Sequence, residues 1–196
     1  MVDRSRRGKL DVLGPDAAEF LQGQVTNDVE ALTEGHGCYA ALLSPKGRIL
    51  ADMRLLRADD AFRIDTEALA LDAMAENLDM YKIGREVEIA DRTEERAILS
   101  LIGPRVTDLI GSAIPEGEHS FADAKLDGTS ALVVATDVGA DLVLEAGDAD
   151  GARSLMAARG AAVVGEAVAE IIRIEAGRPR YGRDMTADNL PAEVGI

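Results

Sequence analysis

The sequence predicts an α+β protein built from antiparallel sheets with helices packed on them. Three observations point there. Short runs of alternating apolar residues come in groups bounded by Gly, Pro and Asp, as hairpin-linked strands do. Single helical periods separate those groups, whereas a parallel sheet would alternate a helix with every strand. Finally, Leu13-Gly14-Pro15 returns as Ile102-Gly103-Pro104 after 89 residues, and Phe20-Leu21 and Leu109-Ile110 stand five residues beyond each proline. A strand-Gly-Pro-helix unit that recurs in this way signals two related parts. They are placed at 1–102 and 103–196, with no Ser/Gly/Pro linker between them.

The elements follow in order. Lys9 to Leu13 is a short strand stopped by Gly14, and Pro15 suits the first turn of a helix through Ala17, Phe20 and Leu21 because its missing donor would be unpaired there. A strand from Gly37 to Leu43 meets Ser44-Pro45-Lys46-Gly47, a type I turn signature. The return strand, Arg48 to Arg57, makes a hairpin. A strand at Phe62–Asp65 leads to a helix from Thr66, as N-cap, to Tyr81. Strands at 86–90 and 97–102 precede a helix through Val106, Leu109 and Ile110. Strands near 120–126, 131–136 and 141–145 are followed by helices at 149–159 and 166–176, the last closed by Gly177 at C′.

Composition narrows the function. Lys and Arg number 21 against 36 Asp and Glu, a formal charge of −15, and 47% of residues are hydrophobic. Residues 1–57 hold eight cations and eight anions, so the excess lies entirely beyond them. An acidic surface without a basic stripe repels phosphate backbones, which argues against a nucleic-acid partner. The start is charged with no apolar run behind it, and no stretch reaches the ~20 apolar residues of a membrane span, so a cytoplasmic protein is expected. One cysteine, Cys38, and two histidines, His36 and His119, make neither a disulfide framework nor a zinc site.

Two places break local rules. In the strand 48–57, Ile49, Ala51, Met53 and Leu55 share one face while Leu50, Asp52, Arg54 and Leu56 share the other. Both faces are largely apolar, so Asp52 and Arg54 must pair with each other or with something else. In the last helix Glu175 falls on the stripe of Val168, Ile171 and Ile172, near a helix C-terminus where the dipole disfavours an anion. Either a neighbouring Arg173, Arg178 or Arg180 neutralises it, or it grips an amide-rich ligand. Gly35-His36-Gly37-Cys38 lacks the third partner that catalysis would need.

At these residues a family resemblance appears. Gly8-Lys9-Leu10, Gly14-Pro15-Asp16, Phe20 to Val29 and Tyr39 to Arg48 resemble the folate-binding family of the glycine-cleavage T-protein. Arg173-Ile174-Glu175-Ala176-Gly177-Arg178 through Met185, and Leu190 to Gly195, are similar to the same family near its middle. Gln22 to Thr26 and Leu50 to Arg57 look most like its YgfZ branch. That branch's Lys-Gly-Cys-Tyr signature and the family's C-terminal β-barrel domain are not in the sequence, which suggests a fragment.

The resemblance implies a ferredoxin-like folate-binding architecture, tetrahydrofolate as ligand, and a role supporting assembly or repair of iron–sulfur client enzymes. Aminomethyl transfer is the alternative activity, and a non-catalytic remnant a third. Within the family, Glu175 matches a glutamate that reads the pterin's amide and amino edge, Tyr39 a tyrosine of the folate cleft, and Asn27 the Thr-Asn-Asp turn. Two adjacent acids follow the Lys-Gly turn in aminomethyltransferases, and they align with Ala51 and Asp52. With the first carboxylate missing, aminomethyl transfer is expected to be disfavoured, and no catalytic residue is assigned.

Overall fold

The computed structural model describes residues 1–59 and 61–196. In chain order its elements are β1 (Val2–Asp3), β2 (Gly8–Leu13), α1 (Ala17–Gln22), β3 (His36–Leu43), β4 (Ile49–Arg57), β5 (Ala61–Thr66), α2 (Leu71–Tyr81), β6 (Glu88–Asp91), β7 (Arg96–Ile102), α3 (Val106–Ile110), β8 (Phe121–Leu126), β9 (Thr129–Thr136), β10 (Gly139–Glu145), α4 (Ala149–Ala158), α5 (Glu166–Glu175) and α6 (Pro191–Val194). Short 3₁₀ turns, Ala68–Ala70 and Ala146–Asp148, lead into α2 and α4. The fold is α+β, as the period-2 groups predict.

Two compact units share these elements. One comprises Arg7–Arg92 with Gly177–Ile196, the other Met1–Arg6 with Thr93–Ala176. The sequence places one crossing near Gly103-Pro104; the units instead change over at Arg92 and take a chain end from each other's side of it. Composition carries no trace of such an exchange.

Each unit holds a five-stranded antiparallel sheet, ordered β3-β4-β5-β2-β6 in one and β8-β9-β10-β7-β1 in the other. The two orders correspond strand for strand. β2 and β7 each end in the Gly-Pro turn that starts a helix, three hairpin-linked strands follow, and the third of these feeds a 3₁₀ turn and then α2 or α4. Gly14 and Gly103 have φ of 110° and 126°, a region that side chains avoid, which is why the repeated motif keeps glycine.

In the unit of Arg7–Arg92, one sheet face makes the core. Leu10, Ala51, Met53 and Leu55 pack under Phe20 and Leu21 of α1 and Met74 and Leu78 of α2. The C-terminal segment returns to the same unit: Tyr181 packs on this cluster, the Ile49 amide donates to the Asn189 carbonyl at 3.1 Å, and Arg48 donates to the Asp188 carbonyl.

One expectation needs correction. Thr66 closes β5 instead of capping a helix, and its hydroxyl donates to the Asp52 carbonyl at 2.6 Å, so the helix starts later, after a 3₁₀ turn. Of the two pairings open to Asp52 and Arg54, the structure takes the second: Arg54 pairs with Asp65, and Asp52 accepts the Tyr39 hydroxyl. In α5 only Ala169 is buried, while Val168 and Ile171 are 44% and 58% exposed. A 3.6-residue period locates an apolar stripe but not what covers it. Gly177, with φ of 67°, ends that helix as expected. Among the described residues, no helix is long and apolar enough to cross a membrane.

Candidate functional site

The opposite face of the β3-β4-β5-β2 sheet is polar yet buried. Because strand side chains alternate, Lys9 and Asp11 of β2, Asp52 and Arg54 of β4, and Asp65 of β5 fall on that face, and all are less than 9% exposed. Register aligns them into a row: Tyr39 stands opposite Arg54, Arg54 opposite Asp65, and Asp65 opposite Lys9. Buried charges on this scale persist only when paired.

The pairing is a chain of alternating charge. Arg54 Nε donates to Asp65 Oδ2 at 2.6 Å, and Arg7 Nε donates to Asp65 Oδ1 at 2.8 Å. Arg7 Nη1 also binds Glu67 Oε1, and Arg180 Nη2 reaches Glu67 Oε2 at 2.8 Å. Burial alone would raise the Asp65 carboxyl, but Arg54 and Arg7 outweigh it and hold it down at about 2. Glu67 is likewise held below its ordinary value, burial being overcome by Arg7 and Arg180.

Asp52 stands apart from this chain. Its Oδ2 accepts the Tyr39 hydroxyl at 3.1 Å, while Oδ1 is buried with no hydrogen-bond partner. Burial raises its proton affinity most, and the negative Glu67 adds to that. Arg7, the Tyr39 hydroxyl and the Tyr181 backbone amide pull the other way without cancelling it. Tyr39 is pushed up in turn, by burial and by Asp52, and so remains a donor. A carboxylate oxygen left without a donor in such a place is an acceptor held ready for an N–H or O–H.

Of the residues singled out from the sequence, Tyr39 and Asp52 are brought together. Asn27 is exposed, and its side chain works on the backbone: Nδ2 donates to the Tyr39 carbonyl at 2.8 Å and Oδ1 accepts the Asp28 amide at 2.8 Å. Gln22, the last residue of α1, accepts the Val29 and Glu30 amides. The Gln22-to-Asp28 motif thus braces β3 beneath Tyr39. Glu175 belongs to the other unit, as the last residue of α5, and is exposed. Arg173 pairs with Glu170 at 2.5 Å and Arg180 with Glu67, so burial gives no reason to single out Glu175. Sequence reasoning missed Arg7, Asp65, Glu67 and Arg180. The signal for the first three was a charge at every second position, 7 and 9 before 11, and 65 before 67, in apolar strands.

Position 51 also reads differently in three dimensions. Ala51 is fully buried in the apolar cluster beneath α1 and α2, on the face away from Tyr39. A carboxylate there would enter the core. The missing first acid therefore takes nothing from the polar face, and its absence is no argument against chemistry at Asp52.

Comparison with known proteins now bears on this arrangement. The family model described as "GCVT N-terminal domain" matches residues 1–196. The chain belongs to that family. An aminomethyltransferase of Rubrobacter xylanophilus is 30% identical to it over 205 residues, with the whole chain matched to 55% of the relative. A chloroplastic putative transferase of Arabidopsis thaliana is 27% identical, matching the whole chain to 48% of its length. In three dimensions the chain is similar to the glycine cleavage system aminomethyltransferase T of Bartonella henselae, with a TM-score of 0.85, 26% identity, 97% of this chain and 54% of that one covered. This GcvT N-terminal domain chain thus spans about half the length of the relatives it matches.

Proposed function

We propose that the chain is the tetrahydrofolate-binding part of a one-carbon protein, with Asp52 as the carboxylate that meets an amine of the reduced pterin. The buried Oδ1 of Asp52, which lacks a donor, carries this reading. Leaving a buried acceptor unmade costs about 1–3 kcal/mol, and a ligand N–H offsets that cost on binding. Tetrahydrofolate supplies amine nitrogens that carry a one-carbon unit. A carboxylate beside such a nitrogen orients it and takes up its proton, with Tyr39 fixing the oxygen that stays behind. Asn27 acts through Tyr39. Glu175 is assigned to the pterin's amide and amino edge on the resemblance of residues 173–185 alone.

Aminomethyl transfer, the activity in the relatives' names, is favoured over binding alone because position 51 faces the core and leaves the Asp52 row intact. The second reading is an accessory protein for iron–sulfur enzymes, which uses the same site without turnover. It rests on the resemblance of Gln22–Thr26 and Leu50–Arg57 to the YgfZ branch.

Calorimetric titration with tetrahydrofolate tests the site. Asp52→Asn is expected to weaken binding about tenfold or more; equal affinity for variant and wild type would overturn the assignment. A glycine-cleavage assay with the partner proteins separates the two activities, since binding without turnover supports the accessory role.

A further inference from the structure

Glu67 ties the C-terminal segment to the sheet. It is 7% exposed and stands one residue past the end of β5, with Oε1 bound to Arg7 Nη1 from ahead of β2 and Oε2 to Arg180 Nη2 at 2.8 Å. One carboxylate thus joins three stretches of chain, all in the same compact unit. A carboxylate that accepts from two guanidiniums is fixed in direction as well as in place.

The piece it holds is a closed turn. Within residues 180–185 the Arg180 amide donates to Asp184 Oδ2 at 2.9 Å, the Asp184 amide to the Arg180 carbonyl at 3.0 Å, and the Gly182 amide to the Met185 carbonyl at 2.8 Å. Met185 is fully buried, and Gly182 lies so near Leu69 that a Cβ there would run into the Leu69 side chain. Further along, the Ile49 amide donates to the Asn189 carbonyl, and the Arg48 guanidinium to that of Asp188. The segment is therefore fastened at the start of β4 and at the end of β5.

Asp52 lies between those fastenings. It follows Ile49 along β4, and its carbonyl accepts the hydroxyl of Thr66, the neighbour of Glu67, at 2.6 Å. Register agrees: Thr66 stands opposite Met53, so Glu67, one step on, comes level with Asp52, one step back.

We propose that Glu67 is a positioning residue of the candidate site: its Oε2 clamps the turn 180–185 beside the Tyr39–Asp52 pair, so that this turn forms one wall of the ligand's seat. The wall role rests on the folate reading; the clamp does not.

The test is amide hydrogen exchange in the ligand-free protein. In Arg180→Met, which removes one half of the clamp, and in Glu67→Met, which removes the other, the Gly182 and Asp184 amides are expected to exchange about tenfold faster or more, the factor that corresponds to loss of a hydrogen bond between charged groups. The amides of Leu10 and Ile64, within β2 and β5, should change much less. The double variant should be no faster than the faster single one, since both remove the same contact. Arg180→Lys, which restores the charge, should lie nearer wild type. Unmoved turn amides in Arg180→Met, a rise spread evenly over turn and sheet, or additive effects in the double variant would overturn the clamp. If Glu67→Met does not fold, Arg180→Met and Arg180→Lys decide. Tetrahydrofolate added to wild type tests the wall: it should slow exchange of the same two amides and bind more weakly to Arg180→Met, and binding that leaves those amides unchanged would overturn the wall role. Absence of binding to wild type removes the folate reading and the wall together, and the exchange rates of the ligand-free variants still judge the clamp.

Discussion

Asp52 and Asp65 share one face of one sheet and are driven in opposite directions. Asp65, between two guanidiniums, is held at about 2 against an ordinary value near 3.9. A folded-state value below the unfolded one contributes stability that is fully present above the unfolded value and is lost as pH falls from about 4 toward 2. Glu67 adds to the same trend, and Asp52, raised by burial, opposes it: its cost is present when it is ionised and disappears in acid. Urea unfolding should therefore show a loss of stability below about pH 4 that is weaker in Asp65→Asn. At neutral pH, Asp65→Ala removes the carboxylate shared by Arg54 and Arg7 and is expected to cost about 3–5 kcal/mol; a change below about 1 kcal/mol would mean that the buried chain is not paired in solution.

Among elements, the repeated strand-Gly-Pro-helix turn offers a matched comparison. Both glycines have positive φ, but a Cβ on Gly14 would lie 2.1 Å from the Glu86 carbonyl oxygen, whereas one on Gly103 meets nothing within 4 Å. Gly103→Ala should cost roughly 1–2 kcal/mol of backbone strain alone, and Gly14→Ala distinctly more. Equal losses in thermal unfolding would contradict the tighter turn. These turns, the Ser44–Gly47 hairpin and the alternation in β4 were legible because each depends on neighbours in sequence. Asp52 was visible for the same reason, as a charge in an apolar strand. The charge chain on its face was not: Arg7, Asp65 and Glu67 meet only through strand register, and Arg180 joins them only through the return of the C-terminal segment. The stripe that carries Glu175 is exposed, a fact that spacing does not encode.

In the whole molecule, the two units repeat one topology but not one chemistry. The unit of Arg7–Arg92 and Gly177–Ile196 holds the buried charge chain and the Tyr39–Asp52 pair; the corresponding sheet of the other carries Ser100 and Asp141 bonded to each other at 2.5 Å. The two units share a topology, and a polar row on one of them makes the candidate site. The chain matches about half of each relative's length. The most direct test of the central claim is a crystal structure of the protein with tetrahydrofolate bound. The account predicts an amine nitrogen of the reduced pterin within about 3 Å of Asp52 Oδ1, a normal hydrogen-bond distance. A ligand seated away from the Tyr39–Asp52 pair, with Oδ1 still lacking a donor, would contradict it.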